Sequence, residues 1–340
     1  MLDLVTGSSG VLGHCVVTRL HERGRGLRFF DVLPPPADIA AFGDAVQADM
    51  RDPGALRAAA RGVDTIYHLA AGQRMKPQFS GMREEEIRGM NVAGVANVLA
   101  AARAEGVRKV VFISSSGVYG IPRTVPVRED HPQRPLGDYG RSKIEAETLC
   151  QEHLAQGGDV TILRPMSLFG PRMTGVFILL YDWVRRGKNV YLLGDGRNRV
   201  QMASAWDVAD ACLRAAERPE ARGAVLNIGA EGVPTVRQQV EALIAHARSQ
   251  SRIVTIPAGL LRTAARALNV VGLSPIVPEH YLLADATFVC DVTKARTVLG
   301  WKPRFDNVAL TCDAYDWYVA HLDEMPARRN PVLALLDAFS

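Results

Sequence analysis

The stretch "VTGSSGVLG" at residues 5–13 places Gly7, Gly10 and Gly13 directly after a short run, "LDLV" at 2–5, with strand character. In a chain with 30 glycines such a triplet decides nothing alone, so its surroundings must. An apolar helical stretch opens at Val11, and a strand-turn-helix junction with this glycine spacing meets the demands of binding a dinucleotide pyrophosphate. Gly7 would allow the tight turn, Gly10 would let the backbone approach the phosphates, and Gly13 would let the helix pack closely on the strand. The amides of Val11 and Leu12, at the helix start, would add donors and a partial positive charge. Further on, the strand "LRFFDV" ends at Asp31, where a carboxylate accepts ribose hydroxyls and repels a 2′-phosphate, so NAD is favoured over NADP.

Working outward, short apolar runs alternate with Ala-rich helical stretches through the first half. After "LRFFDV" come a helix near 53–61, "TIYHLAA", a long helix near 84–105, "KVVFISSS", a helix from Asp138 to about Leu154, and "VTILRP". This alternation predicts an α/β protein with a Rossmann-type doubly wound parallel sheet. Beyond Pro165 the pattern turns mixed, with helical "FILLYDWVRRGK", "WDVADACLRAAERP" and "TVRQQVEALIAHARSQ" and strand-like "VYLLGDG" and "AVLNIG". The expected division is an NAD-binding part over 1–165 and a smaller, mainly substrate-binding lobe over 166–340 that partly returns to the first sheet. The apolar stretch 258–283 reads as a packed helix plus loop, with a lid or a surface-seeking amphipathic element as the other readings.

Composition narrows the class. At 340 residues, 48% hydrophobic and 22% charged, the chain is an ordinary globular protein with no low-complexity tract. A net charge of +4, with arginines scattered among acids, gives no basic stripe for nucleic acid. Five cysteines without a CxxC pair read as buried thiols of a reducing compartment, and no metal site is expected. With a strand at the very start, no signal peptide is expected, and no apolar run approaches the ~20 residues of a membrane span. A cytoplasmic location follows as the expectation.

Two further elements bear on the cofactor. Asp49 in "QADMRD" follows a third strand and would meet the adenine with the Met50 backbone beside it, or would simply cap a helix. Leu69, Ala70 and Ala71 end the next strand in the small residues needed where a sheet edge passes under a cofactor. For chemistry, "YGRSK" holds Tyr139 and Lys143 in an i, i+4 relation, on one face of a helix. A tyrosine hydroxyl titrating near ~10 is a poor base at neutral pH, but a nearby ammonium and an oxidised nicotinamide favour its phenolate. Three serines, 114–116, end the preceding strand, where a hydroxyl would reach the oxygen that exchanges its proton with Tyr139.

With "TGSSGVLG", Asp31, "HLAA", "NVAGVANVL", "SSSGVYG" and "YGRSK" in this order, the chain resembles an extended short-chain dehydrogenase/reductase of the NAD-dependent epimerase/dehydratase family. The resemblance continues through "LRP…FGPR", "WDVADA", "LNIGAEG" and "CDVTKARTVLGWKPR". It implies that Ser115, four residues before Tyr119, is the catalytic serine, with Ser116 beside it at the substrate. Tyr139 is then the acid/base, Lys143 holds the nicotinamide ribose, and Asn91 belongs to the cofactor site. Dehydratases of the family carry Asp and Glu after the catalytic residue; here Ser116 and Gly117 stand there, which argues against dehydration. The resemblance also implies a homodimer through the helices near 84–105 and 138–154.

The substrate is read less sharply. Nucleotide-sugar members place Asn after the sixth strand where this chain has Ser167, and an Arg where it has Val200. Arg172, Arg197 or Arg199 would bind a diphosphate by charge-assisted bonds, or are solvated loop residues. The leading expectation is a nucleotide-diphosphate sugar epimerase or 4-keto reductase. A hydroxysteroid- or dihydroflavonol-like oxidoreductase is the alternative, favoured by "RP" in "LRPMSLFGP" and the apolar 258–283 stretch. A non-catalytic NAD-binding protein is a third reading, against which Ser115, Tyr139 and Lys143 speak.

Overall fold

The computed structural model describes residues 1–72, 82–169, 177–257 and 285–324. The first half runs β1 (Leu2–Thr6), α1 (Val11–Glu22), β2 (Gly26–Asp31), β3 (Asp44–Gln47), α2 (Pro53–Ala60) and β4 (Thr65–His68). It continues through α3 (Glu84–Ala104), β5 (Lys109–Ile113), α4 (Asp138–Ala155) and β6 (Val160–Pro165). The second half comprises β7 (Ser167–Phe169), α5 (Ile178–Arg185), β8 (Val190–Leu193), β9 (Met202–Ser204), α6 (Ala205–Glu217) and β10 (Val225–Ile228). It ends with α7 (Val236–His246), β11 (Ile253–Ile256), α8 (Thr293–Leu299) and α9 (Asn307–Ala320).

Among the described residues, seven strands pair in parallel in the order β3-β2-β1-β4-β5-β6-β10, the doubly wound sheet that the alternation predicts. Helices cover both faces, which is why the strands read as continuous apolar runs. Val5, Phe29, Tyr67, Val111 and Leu163 point into one core with Val16 and Leu20 of α1 and Val208 of α6. Their neighbours Leu4, Phe30, Ile66, Val110 and Ile162 point into a second core with Leu56, Val95, Leu99 and Cys150 of α2, α3 and α4. Each large side chain so buried contributes roughly 1.5–3 kcal/mol.

β1 lies between β2 and β4, with Thr6 in register with both Phe30 and His68. Strand order reverses here, so the segments leaving β1 and β4 diverge and open a crevice beyond the carboxyl ends, above Gly7 and Leu69. After Pro165 the chain leaves the sheet and comes back. β10 pairs with β6, α6 packs on α1, and α8 packs against β10. Away from the sheet, β7 pairs with β9 and β8 with β11, over a third core of Phe169, Tyr181, Trp183, Leu192, Met202, Leu243 and Tyr315. β7, β9 and β11 have three or four residues each, too short to show a period in sequence. The stretch 258–283 and Arg172 lie outside the described residues. No described helix is long and apolar enough to cross a membrane.

Candidate active site

One cavity of about 1580 Å³ runs from the glycine turn, past the carboxyl end of β5 and the start of α4, to β7, β8 and β9. At its first end Gly7 has φ +75°, and a Cβ there would press on the Ala70 backbone nitrogen at 2.6 Å. A Cβ on Gly13 would fall on the Gly7 carbonyl oxygen and lie 2.7 Å from the Ser8 Cα, so α1 can approach β1 this closely only with glycine. Gly10 differs: a Cβ would meet only the Gly7 carbonyl, at 3.4 Å, because its open side faces the cavity. It is the N-cap of α1, with no side-chain cap and no acid in the first turn. The helix start is thereby left to an anion, and Gly10, Val11, Leu12 and Gly13 all line the cavity. These features fit the pyrophosphate of NAD.

Asp31 lines the same end, its carboxylate accepting from the Ser9 amide at 3.0 Å and the Leu33 amide at 3.1 Å. Two backbone donors aim the group without neutralising it. Asp49 is also in the lining, gripped by Arg51 through bonds of 2.6 to 3.1 Å that hold its carboxyl below the usual range. The cap of α2 is instead Asp52, which accepts from Gly54 and Ala55, so Asp49 is not the helix cap that the sequence left open. Met50, Leu69, Ala70 and Ala71 complete this wall. Asn91 lies behind it, apart from the lining. Its amide oxygen accepts from Gly72 N at 2.7 Å, and its nitrogen donates to Gly72 O and to Ser142 Oγ.

Ser115, Ser116, Tyr139 and Lys143 meet in the middle of the cavity. Ser115 caps a short 3-10 turn over Ser116–Val118, its Oγ accepting from Gly117 N at 3.0 Å, which leaves the hydroxyl proton to donate. Tyr139 is in the first turn of α4, whose cap is Gly137. Lys143, one turn on, is buried; its Nζ donates to Ile113 O at 2.8 Å and lies 5.7 Å from the Tyr139 ring centre and 5.0 Å from that of Phe112. A buried ammonium in this position favours negative charge on its neighbours. Its field also reaches His68, whose pKa is pushed down to about 3, first by burial and then by Lys143.

At the far end the sequence reading is divided. Ser167 and Val200 line the cavity. Arg197 and Arg199 do not: the Arg197 side chain is 88% exposed and pairs with Asp195, and the Arg199 backbone is tied to Thr287 and Phe288. Leu168, Phe177, Leu180, Tyr191 and Leu193 are also in the lining.

One partnership was invisible to motif reading. Glu147, one turn beyond Lys143, is buried and takes Arg164 of β6 in a bidentate pair at 2.9 and 2.6 Å. Its only sequence signal is the spacing Tyr139, Lys143, Glu147, since Arg164 sits on a strand, in a different element.

The model of the NAD dependent epimerase/dehydratase family matches residues 4–229. The uncharacterized protein y4nG of Sinorhizobium fredii is 35% identical over 321 residues, covering 94% of this chain and 78% of that protein. A UDP-glucose 4-epimerase of Mycolicibacterium smegmatis is 30% identical over 327 residues, covering 89% and 94%. The structure of MoeE5 in complex with UDP-glucose and NAD aligns with a TM-score of 0.73 at 26% identity, covering 95% of this chain and all of that one. The chain belongs to the NAD dependent epimerase/dehydratase family and is an NAD-dependent enzyme.

Proposed function

We propose that this chain epimerises or reduces a nucleotide-diphosphate sugar at a carbinol or ketone carbon, with Ser115, Tyr139 and Lys143 as the catalytic group. The observation that carries the reading is the single cavity in which these three residues stand between the glycine turn and the β7–β9 end. The acid/base is Tyr139: its oxygen takes the proton of the substrate hydroxyl as the carbinol carbon is oxidised and returns it on reduction. Ser115 donates a hydrogen bond to that substrate oxygen, and the Lys143 ammonium stabilises the charge Tyr139 carries as a base. Bound NAD supplies a reversible two-electron acceptor for that carbon. Gly10, Val11, Leu12 and Gly13 would hold the pyrophosphate of NAD, and Asp31 would take its adenosine ribose. Similarity to a UDP-glucose 4-epimerase supports a nucleotide sugar as substrate.

The same reading divides the chain into an NAD-binding part, 1–165, and a mainly substrate-binding part, 166–340. It pairs the chain with a second copy through α3 and α4, which lie side by side with Arg88 and Glu145 joined at 2.9 Å, and it places the enzyme in the cytoplasm. Light scattering on the purified protein checks the dimer.

A second reading, an oxidoreductase of apolar alcohols or ketones, is favoured by the far end of the cavity. There Ser167 and Val200 stand where a diphosphate site would carry amide and cation, among Phe177, Leu180 and Leu193. Thermal shift with NAD present separates the two, using UDP-, GDP-, dTDP- and CDP-sugars beside hydroxysteroids and flavonoid-like ketones. Stabilisation by one nucleotide family supports the sugar reading; stabilisation only by the apolar compounds overturns it.

A further inference from the structure

We infer that the Glu147–Arg164 pair is a clamp that sets the Ser115 hydroxyl against Tyr139, with Ser114 and Tyr119 as its two grips; the inference rests on the role given to Ser115 above. Tyr139, Lys143 and Glu147 follow one another at four-residue intervals on one face of α4. The first two face the cavity, and Glu147 continues that face beneath the serine turn. Its Oε1 accepts from Ser114 Oγ at 2.5 Å and Arg164 Nε, and its Oε2 from Arg164 Nη2 and from Gln133 Nε2 at 3.0 Å. Arg164 Nη1 donates to Tyr119 Oη at 2.8 Å and to Glu129 O at 3.0 Å, and Tyr119 Oη donates to Asn227 Oδ1.

Ser114 is the entry of the turn that carries Ser115, and Tyr119 is its exit. Ser114 is fixed from the other side by its amide on Leu163 O, and the turn closes through Val118 N on Ser115 O and Tyr119 N on Ser116 O. Both ends of the turn therefore grip one ion pair, and that pair is anchored on the helix that carries Tyr139. A buried ion pair is weak as a stabiliser, since desolvation offsets attraction, but a bidentate arginine and a saturated carboxylate define geometry sharply. Ser114 and Glu147 are positioning residues, acting on the reaction through Ser115.

The test is Ser114→Ala, which releases the entry grip and leaves Glu147 paired with Arg164 and Gln133, so the fold is spared. With NAD-loaded protein and UDP-glucose as probe, read by formation of UDP-galactose, kcat should fall on the order of tenfold while KM and NAD affinity stay unchanged. Ser114→Thr, which keeps the hydroxyl, should restore it. The loss should vanish when Ser115 is already Ala, because the clamp then has nothing to aim. An equal loss in both backgrounds, or full activity of Ser114→Ala where Ser115→Ala is impaired, overturns the clamp alone. Full activity of Ser115→Ala overturns the role of Ser115 and the clamp with it. A second measurement needs no substrate: in crystals of the parent and Ser114→Ala proteins, the separation of Ser115 Oγ from Tyr139 Oη should change by more than about 0.5 Å. An unchanged separation also overturns the inference.

Discussion

At the glycine-turn end the cavity is lined by the backbone turn Gly7–Gly13 and by Asp31, whose carboxylate two backbone amides aim, whereas the β7–β9 end is lined by side chains brought together by three- and four-residue strands. The first end is set by where a Cβ cannot go: Gly7 against Ala70, Gly13 against Gly7 and Ser8. The second is set by which way side chains turn, so that Val200 faces the cavity while Arg197 and Arg199, close by in sequence, face away. A site built from backbone demands particular residues at particular spacings. A site built from side chains on short strands does not.

Substitutions can sharpen or break this contrast, and the largest effect belongs between the two ends. Tyr139→Phe should lower turnover by about 10³-fold with NAD affinity within twofold, measured by product formation and by calorimetric titration, since only the proton-transfer group is lost. Unchanged turnover would refute the assignment. Gly13→Ala should weaken NAD binding by roughly 2–3 kcal/mol, about 100-fold in Kd, because the added Cβ meets backbone that must shift. Tight binding in that variant would mean that the turn is not what shapes the first end.

His68 gives an effect of intermediate size. Its folded-state pKa of about 3 lies below the ordinary 6.5, so below 6.5 the unfolded chain binds a proton that the native chain refuses. Stability contributed by this residue is therefore lost as pH falls from 6.5, at up to about 1.4 kcal/mol per unit. His68→Gln should lose about 1.5 kcal/mol less than the parent between pH 6.5 and 5 in urea unfolding. Parallel losses would show that the buried imidazole does not stay neutral.

Asp31→Ala should weaken NAD about tenfold and bring NADP closer to it, read by competitive titration of the two. Equal affinities in the unmodified protein would break the role of Asp31. The smallest effect is expected at the far end: Arg197→Ala and Arg199→Ala should each change KM for the substrate less than about twofold, as surface side chains do. A large rise in KM would return these arginines to the substrate site and erase the difference between the ends.

Much of the sheet is legible from alternation, because a strand buried on both faces must be continuously apolar and its crossover must be a helix. Tyr139 and Lys143 are legible because helix geometry makes four-residue spacing a contact. Asp49 shows the limit of local reading: in sequence it caps a helix or meets a ligand, and only the bonds of Asp52 to Gly54 and Ala55 show that it is not the cap. Asn91 shows another. Its place in the chain does not reveal that it holds the cavity wall at Gly72 instead of facing the lumen.

By itself, then, the sequence determined the doubly wound sheet, the glycine turn, the place of Asp31 at the end of β2 and the pairing of Tyr139 with Lys143. Each depends on steric or periodic rules acting within a few residues. Tertiary structure alone decided that Arg164 joins Glu147 under the serine turn, that Asn227 receives Tyr119 from 108 residues away, and that Val200 and Ser167 line one cavity. These depend on which segments the closed sheet brings side by side, and no spacing along the chain encodes the direction from which a distant side chain arrives.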